Sequence, residues 1–161
     1  MTQPRTKTMK ESQVEMMELV LPNDTNRLGN LLGGRLMHLM DIAGAIASAR
    51  HANRVCVTAS VDEMDFLQPI KEGDVVILQA SVNRVFNTSM EVGIRVMQEN
   101  PLTGQRKHAN SAYFTYVALD DNGAPVPANK VRPVTKEEKR RYTDAARRRR
   151  LRLQHRKRPS S

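Results

Sequence analysis

Three kinds of group in the stretch RLGNLLGGRLMHLMDIAGAIASARH, from Arg27 to His51, could do chemistry together: an asparagine amide, a glycine pair and one carboxylate. Gly33 and Gly34 stand where a helix would begin, and glycine leaves the first backbone N–H groups approachable at the positive end of the helix dipole. Such groups can hold a developing oxyanion; a Gly pair can equally serve close packing and nothing more. Asp41 follows Gly34 by seven residues, close to two helical turns, so the two share a face. A group held at the helix start would therefore lie on the Asp41 side. Met37, Met40, Ile42, Ala45 and Ala49 give this carboxylate apolar neighbours, a setting in which charge is rarely kept without a partner or a task. The plainer reading puts Asp41 at the solvent edge of the helix, or pairs it with Arg50 or Arg54. Asn30, three residues before the pair, both donates and accepts, which suits it to orient a water or polarise a carbonyl. Shaping a turn is its other use.

The remaining reactive side chains carry less. His38, His51 and His108 lack metal-ligand spacing and a Ser or Cys partner, and read as surface or helix-end residues; His155 belongs to the tail. Cys56 is the single cysteine, so neither an internal disulfide nor a cysteine zinc site can form, and a buried strand thiol is expected. No metal and no cofactor are called for.

The elements that must position these groups follow from periodicity. Leu36, Met37, Leu39, Met40, Ala43, Ile46 and Ala47 recur at three- and four-residue intervals, which predicts a helix over about Gly34 to Ala52. Its many small residues suit close contact with a sheet. Ser12 to Leu21 reads as a first strand ended by Pro22, and PNDTNRLGN as a turn-rich loop. After the helix the period becomes two: Val55, Val57, Ala59 and Val61; Val75, Ile77 and Val85; Met90, Val92, Ile94 and Val96; Tyr113, Thr115, Val117 and Leu119. The order is one strand, one long helix, then four strands in succession. Short turns join antiparallel neighbours, so the expectation is an α+β fold with one helix across an antiparallel sheet. Residues 1–10 are expected to be flexible, 11–125 to form the domain, and 126–161 to be a loop, a partly helical surface segment with little apolar stripe, and a basic disordered end.

The chain has 161 residues and a formal charge of +9, but the charge is not spread evenly. From Lys136 onward twelve Lys and Arg face three Asp and Glu, while residues 1–135 hold fourteen of each sign. The basicity belongs to the tail, and the body lacks the basic face of a nucleic-acid-binding domain. No apolar run long enough for a membrane span and no secretory leader is present, so the expectation is a cytoplasmic protein.

Four stretches in order, NRLGNLLGGRLMHLMDIAGAIASARH, VTASVDEMDFLQPIKEGDVV, NTSMEVGIRV and ANSAYFTYVALD, resemble the hotdog-fold acyl-CoA thioesterases of the cytosolic acyl-CoA hydrolase family, over about residues 10–140. The resemblance implies a hotdog fold, one long central helix packed on a five- to six-stranded antiparallel sheet. It implies that Asp41 is the catalytic carboxylate, that Asn30 assists it from the loop across a dimer interface, and that the Gly34 N–H polarises the thioester carbonyl beside Gly33. Thr58, Ala59 and Ser60, with Asn87, Thr88, Ser89 and Met90, fall where such proteins line the acyl and pantetheine channel. Arg54, Arg84, Arg106 and Lys107 become candidate partners for the CoA phosphates. Leu32 departs from the His or Phe that many relatives carry before the Gly pair, and the Arg-rich end lies outside the resemblance.

The expected activity is hydrolysis of acyl-CoA to free CoA and a carboxylic acid, Asp41 acting as general base on water or as a nucleophile. The expected partners are the acyl-CoA substrate and a second copy of the chain, with trimers of dimers implied by the family. A membrane and nucleic acid are not expected partners. Two other readings remain: a non-catalytic acyl-CoA binding protein, and a binder of nucleic acid or acidic partners acting through the tail.

Overall fold

The computed structural model describes residues 3–156; 157–161, the last part of the expected basic end, and residues 1–2 lie outside the described residues. The helix α1 spans Gly33–Ala52. Leu36, Leu39, Met40, Ala43 and Ala47 form its buried stripe, the three- and four-residue spacing that turns one helix face to a core. Asn53 ends it in the left-handed region at φ 53°, its N–H donating to Ala49 O. Asparagine is among the few residues that take this conformation readily.

The main sheet has five antiparallel strands in the order β2-β4-β5-β6-β3, namely Val14–Leu19, Val75–Val85, Ser89–Glu99, Arg106–Ala118 and Cys56–Val61. This is the α+β architecture expected, one long helix on one antiparallel sheet. Alternation places Val76, Leu78, Ala80 and Val82 of β4, Met90, Val92, Ile94 and Val96 of β5, and Ala112, Phe114, Tyr116 and Ala118 of β6 in the core shared with α1. The strand β3 sits at one edge of the sheet and shifts register between Thr58 and Ser60, a bulge at Ala59.

Two segments differ from expectation. Thr6–Thr8 forms a short strand, β1, paired in parallel with β7, Lys130–Arg132, and Met9 after it is fully buried. The N-terminal stretch is thus tied down from Thr6 instead of being flexible. The second departure is at the other end, where Lys136–Arg156 forms one continuous 21-residue helix, α2. Thr135 and Glu138 cap it reciprocally: Glu138 N–H donates to Thr135 Oγ1 at 3.1 Å, and Thr135 N–H donates to Glu138 Oε2 at 3.1 Å.

The helix α2 is a docked element, fixed through an arginine stripe. Arg141, Ala145, Arg148, Arg149 and Arg152 recur at helical spacing on the face turned to the sheet. Arg148 and Arg152 donate to Glu91, which is fully buried on β5. Arg152 also reaches Asp62 at 2.8 Å. Arg141 donates to Ser81 and Arg149 to Ser89. Arg148 lies 3.6 Å from the Tyr113 ring centroid and Arg149 4.5 Å from that of Phe86. A stripe made of guanidinium groups carries no hydrophobic period, which is why the segment reads as a free basic surface.

Candidate functional site

Asp41 lies in the third turn of α1, half-buried. Two hydroxyls converge on one of its oxygens: Thr58 Oγ1 donates to Oδ1 at 2.6 Å, and Tyr116 Oη lies 2.9 Å from Oδ1 and 3.0 Å from the Asp41 carbonyl. Thr58 and Tyr116 are register partners on β3 and β6, so the sheet itself brings the two donors side by side under the helix. Among the described residues no side chain donates to Oδ2.

Tyr116 is fully buried yet reaches the helix because residue 44 has no side chain. A Cβ at Gly44 would stand 2.8 Å from two carbons of the Tyr116 ring, closer than side chains approach one another. Burial, and then the hydrogen bond to Asp41, push the phenol well above the ordinary tyrosine value. It stays a proton donor across the neutral range. The nearby Cys56 thiol is half-buried and is likewise pushed up by burial.

At the start of α1, Leu32 is the N-cap residue and supplies no side-chain cap. Leu36 N–H takes Leu32 O, while no side chain among the described residues accepts from the N–H groups of Gly33 and Gly34. The Phe66 ring lies over Gly33, 3.6 Å from where a Cβ would be. The preceding loop is held firmly. Arg35 pairs with Asp24 at 3.1 Å, and Leu32 N–H donates to Asp24 O while Leu31 N–H donates to Ile70 O. Asn26 Oδ1 accepts from Leu28 and Asn30 N–H at 2.9 and 3.2 Å, and Gly29 turns at φ 74°. Asn30 itself is half-buried, bridges to Lys71 by backbone, and makes no side-chain hydrogen bond with Asp41 in the chain.

The other residues singled out by sequence separate into distinct places. Ala59 is exposed at the β3 bulge and Ser60 follows it. Asn87 turns the β4–β5 hairpin at φ 105°, and its carbonyl accepts from Ala128 N–H. It lines a cavity of about 760 Å³ together with Phe86, Lys130, Arg132 and Tyr142. Thr88 accepts from Ala118 N–H through its carbonyl, and Ser89 is engaged by Arg149. Met90 is fully buried in the core cluster that includes the buried face of α1. Arg84 is held against the Tyr142 ring at 4.0 Å and donates to Tyr142 O. Arg106 pairs with Glu99. Arg106 and Lys107 open β6 about ten residues before Tyr116, roughly 30 Å along an extended strand, so one chain does not bring them to Asp41. Arg54 lies in the turn between the end of α1 and the start of β3.

Tyr116, Gly44 and Phe66 escape a reading by residue type, since an aromatic on an alternating strand looks like core and a glycine among alanines looks like packing. The visible hint is Gly44 itself, one turn after Asp41. Among the described residues, no group of three His, Cys, Asp or Glu gathers with metal-site geometry, and no helix is long and apolar enough to cross a membrane.

A long helix on a five-stranded antiparallel sheet, with an uncapped glycine-led helix start and a hydroxyl-held carboxylate further along it, defines a hotdog-type thioesterase. Residues 28–105 match the thioesterase superfamily model. The chain is 46% identical over 138 residues to a Bacillus subtilis protein named uncharacterized acyl-CoA thioester hydrolase YkhA, covering 86% of this chain and 80% of that one. It superposes on an apo-hexameric acyl-CoA thioesterase with TM-score 0.92 at 38% identity, covering 95% of this chain and 98% of the other. The acyl-CoA hydrolase of Staphylococcus aureus, solved with butyryl coenzyme A, coenzyme A and coenzyme A disulfide, gives TM-score 0.89 at 37% identity over 94% and 92% of the two chains. That enzyme has also been solved with an aspartate, an asparagine or a threonine replaced by alanine. Its asparagine precedes the aspartate by fifteen residues, and its threonine follows the aspartate by seventeen. The chain belongs to the hotdog-fold acyl-CoA thioesterase family.

Proposed function

We propose that this protein hydrolyses acyl-CoA thioesters to free CoA and a carboxylic acid, with Asp41 as the working carboxylate. One observation carries the reading: Asp41 is held through Oδ1 by two hydroxyls and has no side-chain donor on Oδ2 among the described residues, on the helix whose Gly33 and Gly34 N–H groups none of those side chains caps. Oδ2 takes a proton from water as the water oxygen attacks the thioester carbonyl, or it attacks that carbonyl directly to give an anhydride that water then opens. In both routes the backbone N–H of Gly34, beside Gly33, stabilises the oxyanion, and the CoA thiolate leaves and takes up a proton.

The assisting asparagine is reassigned. Asn26 stands fifteen residues before Asp41 and Thr58 seventeen after it, the spacings of the positions substituted in the Staphylococcus aureus enzyme. Asn30 stands eleven before. Asn26 Oδ1 is engaged by the loop, which leaves its amide nitrogen free to donate to a water or to the thioester carbonyl.

The site is completed by a second copy. Val55 and Val57 are 69% and 43% exposed beside the outer edge of β3, and Met37 and Ile46 are exposed on α1. An apolar helix flank next to an open strand edge favours pairing, and the hexameric structural relative supports such an assembly for this chain. Asn26 then meets Asp41 from the other subunit. For the CoA phosphates, Arg54 is retained and Lys130 and Arg132, beside Asn87, are added. Arg84 and Arg106 are committed to Tyr142 and Glu99.

The test is thiol release from a panel of acetyl- to palmitoyl-CoA. Wild type hydrolyses members of the panel, and Asp41→Asn lowers kcat about a hundredfold or more. Full activity in Asp41→Asn overturns the assignment.

A further inference from the structure

We propose that Tyr116 is a positioning residue for this hydrolysis, its hydroxyl holding Asp41 Oδ1 jointly with Thr58 so that Oδ2 alone faces the substrate. The inference rests on the reading of Asp41 as the working carboxylate and goes beyond it by naming what aims that group. Three features of the fold converge on the contact. The β3–β6 register sets Thr58 opposite Tyr116, both hydroxyls lie within 3.0 Å of the same Asp41 oxygen, and Gly44 leaves the opening through which the ring reaches the helix. The second acceptor within reach of Tyr116 Oη, the Asp41 carbonyl at 3.0 Å, keeps the phenol beside the carboxylate whichever way its proton points.

Packing alone does not call for a phenol here. The ring stacks on Phe114 at 6.3 Å between centroids and lies in the core, a role phenylalanine fills equally well. A hydroxyl buried in such surroundings is costly unless it is bonded, and Asp41 supplies its bonds. Two donors on Oδ1 remove one of the carboxylate's two orientations. Reaction geometry is sensitive to such fixing, because a small misplacement of a reacting oxygen lowers the rate steeply.

The experiment compares Tyr116→Phe with wild type, with Asp41→Asn as reference, in steady-state hydrolysis of an acyl-CoA that wild type turns over. In Tyr116→Phe, kcat falls about tenfold or more and KM stays within about twofold. Thr58→Val does the same, and the double variant loses less than the product of the two single losses, since both act through one oxygen. A purely structural role lowers the melting temperature and leaves kcat below the melt unchanged. Placing 3-fluorotyrosine at position 116 keeps the hydroxyl and its contact, and it restores the kcat that Tyr116→Phe loses. Wild-type kcat in Tyr116→Phe, with Asp41→Asn inactive, overturns the positioning role and leaves the hydrolase reading standing. A raised KM with unchanged kcat overturns it too, by making Tyr116 a binding group. Activity in Asp41→Asn overturns both readings.

Discussion

The Tyr116 ring occupies the space that a side chain at residue 44 would fill: a Cβ on Gly44 would sit 2.8 Å from ring carbons of Tyr116. The helix and the sheet can approach this closely at one place only because the helix is bare there. Gly44 lies one turn beyond Asp41, so the close approach and the carboxylate share a patch of α1.

Gly44→Ala therefore overpacks the site. We expect a loss of about 1–3 kcal/mol in urea unfolding, with a fall in kcat as the Tyr116 hydroxyl is pushed from Asp41. Replacing Ala45, a half-buried position on the same helix, with glycine gives the contrast: it lowers stability by about 1 kcal/mol through helix propensity and leaves Tyr116 in place. Equal stability of Gly44→Ala and wild type is incompatible with the contact.

The loop asparagines separate by substitution. Asn26→Ala lowers kcat about tenfold or more, through loss of both a catalytic amide and the acceptor for Leu28 and Asn30 N–H. Asn30→Ala, whose side chain makes no hydrogen bond with Asp41 in the chain, stays within about threefold of wild type. The reverse order of effects in thiol-release kinetics returns the role to Asn30.

The main sheet and α1 were legible because one period governs each: apolar residues at two-residue spacing made strands, and at three- and four-residue spacing made the helix. Asp41 and the glycine pair stood out as polar or small groups in an apolar run. Tyr116 did not, since its ring obeys the strand pattern and only its hydroxyl breaks it. Asn26 and Asn30 share one loop, and turn chemistry explains both, so residue type could not choose between them. The arginine stripe of α2 answers to charges on β5 and the loop after β3, which no local pattern reports.

His51 supplies a pH prediction. It is fully buried at the end of α1, its Nε2 bonded to Asn129 O at 2.8 Å and its Nδ1 without a hydrogen-bond partner among the described residues. Burial holds it below its ordinary value of 6.5. The unfolded chain takes up the proton first, so the stabilisation is fully present above about pH 6.5 and is lost as pH falls from there toward the lowered folded value. Thermal melts should show stability declining from pH 7 to pH 5, and His51→Gln should flatten that decline. An unchanged slope in the variant would sink the assignment.

The water route and the anhydride route at Asp41 differ in where solvent oxygen goes. In single turnover with ¹⁸O-labelled water and enzyme in excess, direct attack leaves label in the Asp41 carboxylate whenever water opens the anhydride at the aspartyl carbon, and general-base catalysis puts all of it in the released acid. With Oδ1 held by two hydroxyls, the carboxylate is oriented to accept one proton along one direction, so mass spectrometry of the Asp41 peptide is expected to find no label. Label there selects direct attack.

The arginine stripe of α2 gives the last prediction. Glu91 is fully buried and takes charge-assisted bonds from Arg148 at 2.7 Å and Arg152 at 3.1 Å, with Asn83 donating at 3.1 Å. Ending the chain after Thr143 removes both arginines and leaves a buried carboxylate with one neutral donor. Breaking such a pair from one side destabilises by about 3–5 kcal/mol, a large part of a domain's stability. The truncated protein should melt well below the full chain, whereas Glu91→Gln in the truncated chain should recover part of the loss by removing the stranded charge. A tail that served only to attract anionic substrate would change the salt dependence of KM and leave the melting temperature untouched. Melting and kinetics on the same truncated protein separate the two, because the buried Glu91 responds only in the first.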